Sequence, residues 1–206
     1  RGRGAQSNLS GRYETEARTA FDDGWQSLDD LPPFKTTVAV DAARKVITRN
    51  DSPDISFDRS INPYRGCEHG CIYCYARPSH GYLNLSPGLD FETKLFYKAD
   101  AAQLLERELA APKYKCSPIT IGANTDPYQP IEGRFRITRS IIELLTETGH
   151  PFTITTKSDR VLRFASGGRS RVGRQRQVEP RPGRGGLEVD WHRRDGALES
   201  AVVAAY

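Results

Sequence analysis

The sequence lacks methionine altogether, and it contains only four cysteines among its 206 residues. So few cysteines in a chain of this length do not form a disulfide scaffold, and we expect no signal peptide before them. We therefore expect a cytoplasmic protein that does not act at a membrane. Because the chain opens on Arg1 and has no methionine, the sequence also predicts an amino terminus that is processed or incomplete.

Lysine is absent from residues 164–206, a segment rich in arginine and glycine. Its eight arginines against five acidic residues give it a net charge of +3, whereas the whole chain carries +4. The remaining residues therefore contribute only +1, which is little for a protein that neutralises nucleic-acid phosphates. An Arg/Gly-rich segment can nevertheless bind RNA or single strands, so a nucleic-acid-binding protein is an alternative interpretation.

Composition divides the chain into an amino-terminal extension over residues 1–57, a core over residues 58–163 and the Arg/Gly-rich tail over residues 164–206. The tail has too few large apolar residues to bury a core, so the sequence predicts that it is disordered. The abrupt change of composition after Arg163 further predicts that the tail is out of frame and that the core is truncated.

The core alternates extended and helical segments, which is typical of parallel βα units with right-handed crossovers. Apolar residues at helical spacing predict helices, and short β-branched runs predict strands. The predicted order is an extended segment over 55–64, a helix over 100–110, a strand over 118–122, a helix over 139–148 and a strand over 151–157. Within the extension, residues 36–40 and 46–48 are expected to pair as a hairpin.

Three of the four cysteines follow the spacing Cys67-x3-Cys71-x2-Cys74, within eight residues. A structural zinc site usually takes its four ligands as two separated pairs, and this trio does not form two pairs. The irons of a cubane cluster are separate atoms, so three thiolates on one short loop can each bind a different corner and leave the fourth iron open. Gly66 and Gly70 permit the positive φ angles that such a wrapped loop requires.

Other uses of these thiols stay open at the level of the sequence. Zinc bound by the trio would need a fourth ligand, for which His69, His80 and the distant Cys116 are the candidates. The protein would then be a non-catalytic, metal-bound or nucleic-acid-binding protein that uses the cysteine loop structurally. The trio can also be read as unligated core cysteines.

The cysteine trio, with Tyr73 directly before its last member, resembles the signature of the radical S-adenosylmethionine superfamily. The string Cys74-Tyr-Ala-Arg77 and the later string Asn124-Thr-Asp-Pro-Tyr-Gln-Pro130 resemble the branch of DNA repair photolyases, which is related to spore photoproduct lyase. The resemblance covers roughly residues 1–163. It implies an α/β fold, a partial (β/α) barrel of the radical S-adenosylmethionine type that is truncated here after its third strand.

The resemblance also implies a lyase-like radical enzyme with a 4Fe-4S cluster and S-adenosyl-L-methionine as its cofactors. Cys67, Cys71 and Cys74 would bind the cluster, and its open iron would chelate S-adenosylmethionine with Tyr73 near the adenine. One electron passed to the sulfonium would give a 5′-deoxyadenosyl radical that abstracts hydrogen from the substrate. The implied partners are a reducing electron donor of the flavodoxin or ferredoxin type and a nucleic-acid substrate.

Polar residues follow the last two predicted strands of the core, at the carboxyl ends where β/α barrels gather their reactive groups. Position and resemblance make Asn124, Thr125 and Lys157 candidates for binding S-adenosylmethionine. Each position has a structural alternative, because Thr125 and Asp126 can form or cap a turn and Lys157 can be a solvated charge at a strand end. With its core truncated, the chain is expected to have low activity.

Overall fold

The computed structural model describes residues 4–5, 7–10, 35–161, 187–194 and 197–205. The described residues form two compact units. The chain enters the second unit at residue 43, returns to the first at residue 64 and leaves it again after residue 99. No described helix is both long and apolar enough to cross a membrane.

Strands and helices alternate along most of the described chain. The described strands are β1 (Thr37–Val40), β2 (Ile47–Arg49), β3 (Arg59–Ile61), β4 (Tyr64–Arg65), β5 (Lys94–Tyr97), β6 (Ile119–Ile121), β7 (Phe152–Thr156), β8 (Leu187–Arg194) and β9 (Ala197–Ala205). The described α-helices are α1 (Leu89–Thr93), α2 (Ala101–Leu109), α3 (Glu132–Phe135) and α4 (Ile137–Glu147), and a 3-10 helix spans Arg77–Leu83.

The first unit contains a three-stranded sheet in the order β1-β5-β4. Strand β1 runs parallel to the central strand β5, and β4 runs antiparallel to it. The side chains of Tyr64, Phe91 and Leu95 are almost wholly buried and form the core of this unit. The segment between β4 and β5 carries the three clustered cysteines, the 3-10 helix and α1.

The second unit contains a six-stranded sheet in the order β2-β3-β6-β7-β9-β8. Its inner strands β3, β6 and β7 are parallel, so that Ile61 lies opposite Ile121 and Ile121 opposite Ile154. Strand β2 pairs antiparallel with β3, and the antiparallel pair β8-β9 continues the sheet beyond β7. All three residues of β6 are buried, as expected for a parallel strand inside an α/β sheet.

The local patterns predicted most elements of the core correctly. The helix predicted over 100–110 is α2, the strands predicted over 118–122 and 151–157 are β6 and β7, and β3 lies within the extended segment predicted over 55–64. The three strands are parallel, as the βα pattern predicts. That they belong to a partial barrel stays a prediction.

Helix α4 begins two residues before the start that the sequence predicts. The cause is a carboxylate outside the helix, because Glu132 accepts hydrogen bonds from the amides of Thr138 at 3.0 Å and Arg139 at 3.1 Å. These amides lie in the first turn, where no intrahelical acceptor is available. The buried side chain of Glu132 therefore caps α4 from the preceding turn of chain.

The hairpin expected between residues 36–40 and 46–48 is wrong. Strand β1 pairs with β5 in the first unit, whereas β2 pairs with β3 in the second. A side chain also holds the start of β2, since Glu108 accepts hydrogen bonds from the amides of Val46 at 2.5 Å and Ile47 at 3.3 Å. The described part of the predicted extension over 1–57 is thus divided between the two units.

The predicted tail over 164–206 differs from the expected disorder where it is described. Residues 187–194 and 197–205 form β8 and β9, and β9 pairs with β7. The run Leu187-Glu-Val-Asp-Trp191 alternates apolar and acidic residues, a period-two strand pattern that the segment's overall composition hides. The rest of this segment lies outside the described residues, and its origin in a shifted reading frame stays a prediction.

A partly buried polar network lies close to the amino ends of β3, β6 and β7. The guanidinium of Arg59 bonds the Asp58 carboxylate and the Lys115 carbonyl, and it stacks over the Tyr114 ring at 5.5 Å. The Tyr114 hydroxyl lies 2.7 Å from Nε2 of His150, whose Nδ1 lies 2.9 Å from the Pro151 carbonyl oxygen. A carbonyl only accepts, so Nδ1 carries the proton and Nε2 accepts from Tyr114.

Acid should weaken the fold through His150. Burial, with repulsion from Arg59, lowers the pKa of this histidine in the folded chain. The unfolded chain takes up the proton as the pH falls below about 6.5 and the folded chain resists it, so the free energy of unfolding falls with pH in that range. We expect the free energy of unfolding, measured with urea at neutral pH and at about pH 5, to fall less with acid in His150→Asn than in the unsubstituted chain. The asparagine side chain keeps a donor at the Nδ1 position.

The matched control is His69→Asn, at an exposed histidine. This variant should keep the pH dependence of the unsubstituted chain. Equal pH dependence in the His150 and His69 variants would contradict the assignment.

Candidate functional site

The cysteine loop follows β4 in the first unit and turns on two glycines with positive φ. Gly66 has φ +74° and Gly70 has φ +62°, as the sequence predicts for a wrapped loop. A Cβ atom at Gly66 would lie 2.7 Å from both a Leu95 methyl carbon and the Phe91 carbonyl oxygen. Backbone conformation and space therefore both require glycine at position 66.

The three loop cysteines form no disulfide, and all of them lie in the first unit. Cys67 is buried in a small cluster with Ala76 and Phe91, and Cys74 packs against that cluster. The amide of Cys67 donates to the Phe91 carbonyl at 2.9 Å, and the amide of Cys74 donates to the Cys71 carbonyl at 3.2 Å. The loop is thus folded back on itself and anchored to α1.

Within the part of the chain that the structure describes, no three His, Cys, Asp or Glu side chains are grouped as ligands of a single ion. A cubane has a different requirement, because each thiolate binds its own iron and the donors need not converge on one point. The cysteine loop carries three thiols, which is the number of protein ligands that such a cluster with an open iron would need. A 4Fe-4S cluster with three protein ligands stays a prediction for this loop.

The candidate fourth ligands for zinc lie in different surroundings. His69 is exposed within the loop, and Cys116 is exposed in the second unit, just before β6. His80 is fully buried, with Nε2 bonded to the Lys94 carbonyl oxygen at 2.9 Å and its ring edge-on to Phe91. Burial lowers the pKa of His80, so the ring is neutral, and its Nδ1 has no hydrogen-bond partner among the described residues.

Large apolar and aromatic side chains are exposed around the cysteines. Ile72, Tyr73 and Tyr75 are each more than 70% exposed, and so is Tyr82 in the 3-10 helix. Tyr73 is the residue for which the resemblance implies a place beside adenine. Its exposure leaves it accessible to a ligand of the loop.

In the second unit, one side chain holds the loop after β6. The side-chain oxygen of Asn62 accepts the amides of Asn124 at 2.8 Å and Thr125 at 3.5 Å. Gly122 precedes them with φ +87°, and a Cβ there would lie 2.5 Å from the Thr155 carbonyl oxygen. Asn124 is exposed and Thr125 is buried at the carboxyl end of the parallel sheet, where the sequence places both.

Asp126 joins the ends of β6 and β7. Its carboxylate accepts the amide of Tyr128 at 2.8 Å, which is the turn-capping role that the sequence offers as an alternative to ligand binding. It also accepts the Thr156 hydroxyl and the Lys157 amide, both at 2.7 Å. The backbone of Lys157 is therefore fixed by Asp126, and the predicted strand-end residues of this unit are brought together.

The sequence did not predict that Asn62 holds the loop after β6, or that the side chain of Tyr128 is buried. Asn62 directly precedes a proline and the cysteine loop, a position that marks a turn but names no partner. The Tyr128 side chain is buried, and its hydroxyl has no hydrogen-bond partner among the described residues. Burial, with the Glu132 and Asp126 carboxylates nearby, raises the pKa of Tyr128, so the hydroxyl keeps its proton.

Comparisons with known proteins give relatives without a described activity. The chain is 44% identical over 103 residues to an uncharacterized protein of Mycobacterium tuberculosis, an alignment that covers 50% of this chain and 30% of that protein. The same figures hold for an uncharacterized protein of Mycobacterium bovis. An uncharacterized protein of Methanocaldococcus jannaschii is 31% identical over 121 residues, which cover 59% of this chain and 42% of that protein.

The chain thus spans about a third of the length of the mycobacterial relatives that it matches. No protein-family model matches the chain, and no solved structure matches it.

Replacing Asp126 by asparagine should destabilise the second unit. The amide group of asparagine keeps one acceptor oxygen and places donors against the Lys157 or Tyr128 amide, so buried hydrogen bonds are lost. We expect the free energy of unfolding to fall by about 1–3 kcal/mol, measured by urea denaturation.

Asp54→Asn in the same unit is the control, because Asp54 is exposed, and it should change the free energy by less than about 0.5 kcal/mol. An equal effect of both substitutions would show that Asp126 does not hold the two strand ends.

Proposed function

We propose that this chain belongs to a radical S-adenosylmethionine iron-sulfur protein in which Cys67, Cys71 and Cys74 hold a 4Fe-4S cluster. The observation that carries the proposal is the placement of three cysteines, none of them in a disulfide, on one glycine-turned loop at the spacing of that superfamily. Three thiolates leave one iron of a cubane without a protein ligand. An open iron can bind a cosubstrate.

Apolar residues of the first unit surround part of the cysteine loop. Burial of Cys67 against Phe91 keeps one thiol in an apolar environment, and Cys74 lies at the edge of the same cluster. An apolar surrounding limits water access and so influences the reduction potential of a bound centre. When bound, a cluster of this kind supplies the electron for reductive cleavage of S-adenosylmethionine.

Tyr73, Asn124, Thr125 and Lys157 are the proposed ligands of S-adenosylmethionine. The exposed ring of Tyr73 offers a stacking surface for adenine. Because the backbones of Asn124 and Lys157 are fixed by Asn62 and Asp126, their side chains start from defined positions at the strand ends. An asparagine amide suits ribose hydroxyl groups, and a lysine ammonium suits a carboxylate.

Hydrogen abstraction from a nucleic-acid lesion, in the manner of a DNA repair photolyase, is the proposed reaction of the whole protein. A flavodoxin or ferredoxin would supply the electron. Support for the nucleic-acid substrate comes from the resemblance of residues 74–77 and 124–130 alone, because the charge outside residues 164–206 is close to neutral. The aligned relatives are uncharacterized and do not name a substrate.

The proposal is tested by anaerobic reconstitution with iron and sulfide. The unsubstituted chain should bind about four irons and four sulfides, because three thiolates are enough to hold a cubane. Cys71→Ala should lose most of this iron, since two thiolates hold a cubane poorly, and Cys116→Ala should retain it. Adding S-adenosylmethionine and dithionite to the loaded chain should release 5′-deoxyadenosine, more slowly than from a full-length relative.

Equal iron content in the Cys71 and Cys116 variants would refute the assignment of the loop. One zinc per chain and no sulfide would instead favour the structural metal site. A loaded cluster that releases no 5′-deoxyadenosine even in a full-length relative would refute the radical chemistry while leaving the cluster in place.

A further inference from the structure

A short amino-terminal segment lies along the cysteine loop and α1 within the first unit. We call residues 4–5 and 7–9 the amino-terminal strap. Ser7 accepts the amide of Leu89 at 3.1 Å through its carbonyl, and Leu9 accepts the Ser86 hydroxyl at 2.6 Å. These backbone contacts join residues about 80 positions apart in the sequence. The strap is therefore part of the folded unit along its described length.

Two acidic side chains of α1 bind the strap. The carboxylate of Glu92 accepts the amides of Gly4 at 3.0 Å and Ala5 at 2.9 Å. Asn8 donates its side-chain amide to Asp90 at 2.7 Å, and the Asp90 amide donates back to the Asn8 oxygen at 2.9 Å. Glu92 is fully buried and Asp90 nearly so, which strengthens these charge-assisted hydrogen bonds.

The same Glu92 carboxylate pairs with Arg77, which holds the backbone of the cysteine loop. Arg77 donates from Nε and Nη2 to the Cys71 carbonyl at 3.1 and 2.9 Å. It also donates from Nη1 to the carbonyls of Pro87 and Gly88, both at 3.2 Å. With the bond to Glu92, all five donors of the guanidinium are used. A lysine could not reproduce this fork of donors.

Close packing of glycines completes the contact between strap and loop. A Cβ at Gly4 would lie 1.7 Å from the Gly70 carbonyl oxygen and 3.2 Å from a methyl carbon of Ile72. A Cβ at Gly88 would lie 2.1 Å from the Ser7 carbonyl oxygen. The two distances to carbonyl oxygens are far below van der Waals contact, so alanine at either position must displace the strap. Gly70 and Ile72 lie between the first and last cysteines of the trio.

We propose that the amino-terminal strap, with Glu92 and Arg77, is a positioning device that holds the cysteine loop in one conformation before metal binds. Glu92 links the strap amides to Arg77, and Arg77 links Glu92 to the Cys71 carbonyl. Displacing the strap removes the amides of Gly4 and Ala5 from the buried carboxylate of Glu92. The cysteine loop then also loses its packing contact with the strap. The role in retaining a cluster rests on the proposed function, whereas the effect on the loop itself does not.

Alkylation of the thiols in the metal-free chain tests the effect on the loop. Gly4→Ala and Asn8→Ala should each raise the rate at which iodoacetamide modifies the buried Cys67 by about tenfold, the shift expected when a hydrogen bond to a charged group is lost. Exposed Cys116 in the second unit is the internal reference and should react at an unchanged rate.

Gly133→Ala is the matched control for the glycine substitution. A Cβ at Gly133 meets only the end of the Arg160 side chain, at 3.5 Å, so this variant should leave Cys67 as slow as in the unsubstituted chain. Equal Cys67 rates in the Gly4, Asn8 and Gly133 variants would overturn the proposal. A parallel rise at Cys116 would overturn it as well, because general unfolding would then explain both rates.

A second measurement on the reconstituted chain separates this inference from the proposed function. Gly4→Ala should lose iron to a chelator about tenfold faster than Gly133→Ala and change the electron paramagnetic resonance spectrum of the reduced cluster. If no variant binds a cluster but Cys67 responds to the strap, the proposed function fails and the positioning role stands. If clusters form and neither Cys67 nor iron loss responds, the positioning role fails and the proposed function stands.

Discussion

A buried ion pair between Arg77 and Glu92 is the constraint on which the first unit depends. Either charge alone would carry a large desolvation cost in this position, since Glu92 has no exposed surface. The cost is offset because Arg77 uses all its donors and Glu92 also accepts two strap amides. Three separate pieces of chain, the strap, the cysteine loop and α1, therefore have to fold together around the pair. The conformation of the cysteine loop therefore depends on the buried carboxylate of Glu92, which needs Arg77 and the strap amides as hydrogen-bond donors.

The second unit also contains backbone groups that need hydrogen-bond partners, at the carboxyl ends of its parallel strands. Backbone amides beyond the last strand residues have no ladder partner, and buried amides need an acceptor. Asn62 and Asp126 supply the acceptors, so the loops after β6 and β7 are fixed by side chains. This leaves the side chains of Asn124 and Lys157 at defined starting positions. In each unit, structural hydrogen bonds thus hold the backbone of the candidate site residues in place.

Local periodicity predicted α2, β6 and β7 to within about two residues, because apolar spacing and β-branching act over neighbouring positions. The partner of β1 was beyond such reasoning, since β5 lies 57 residues further along the chain. Strand β2 pairs with β3, 10 to 14 residues further along, rather than with the nearer β1. The sequence also predicted a wrapped cysteine loop, and the positive φ angles of Gly66 and Gly70 confirm that conformation. Nothing local marks Glu92 as the acceptor for Gly4 and Arg77, because that role exists only after three segments meet.

The three thiols of the cysteine loop are proposed to bind separate irons of one cluster and to leave its fourth iron without a protein ligand. Mild oxidation of the anaerobically reconstituted chain, followed by electron paramagnetic resonance and iron analysis, tests this most directly. An iron with no protein ligand should leave first, so we expect oxidation to remove about one iron per cluster and to give the spectrum of a three-iron cluster. Ferrous iron together with a reductant such as dithionite should reverse the change, because the oxidation removes one electron along with the iron. A chain that holds one zinc and no sulfide, or a cluster that loses no single iron, would contradict it.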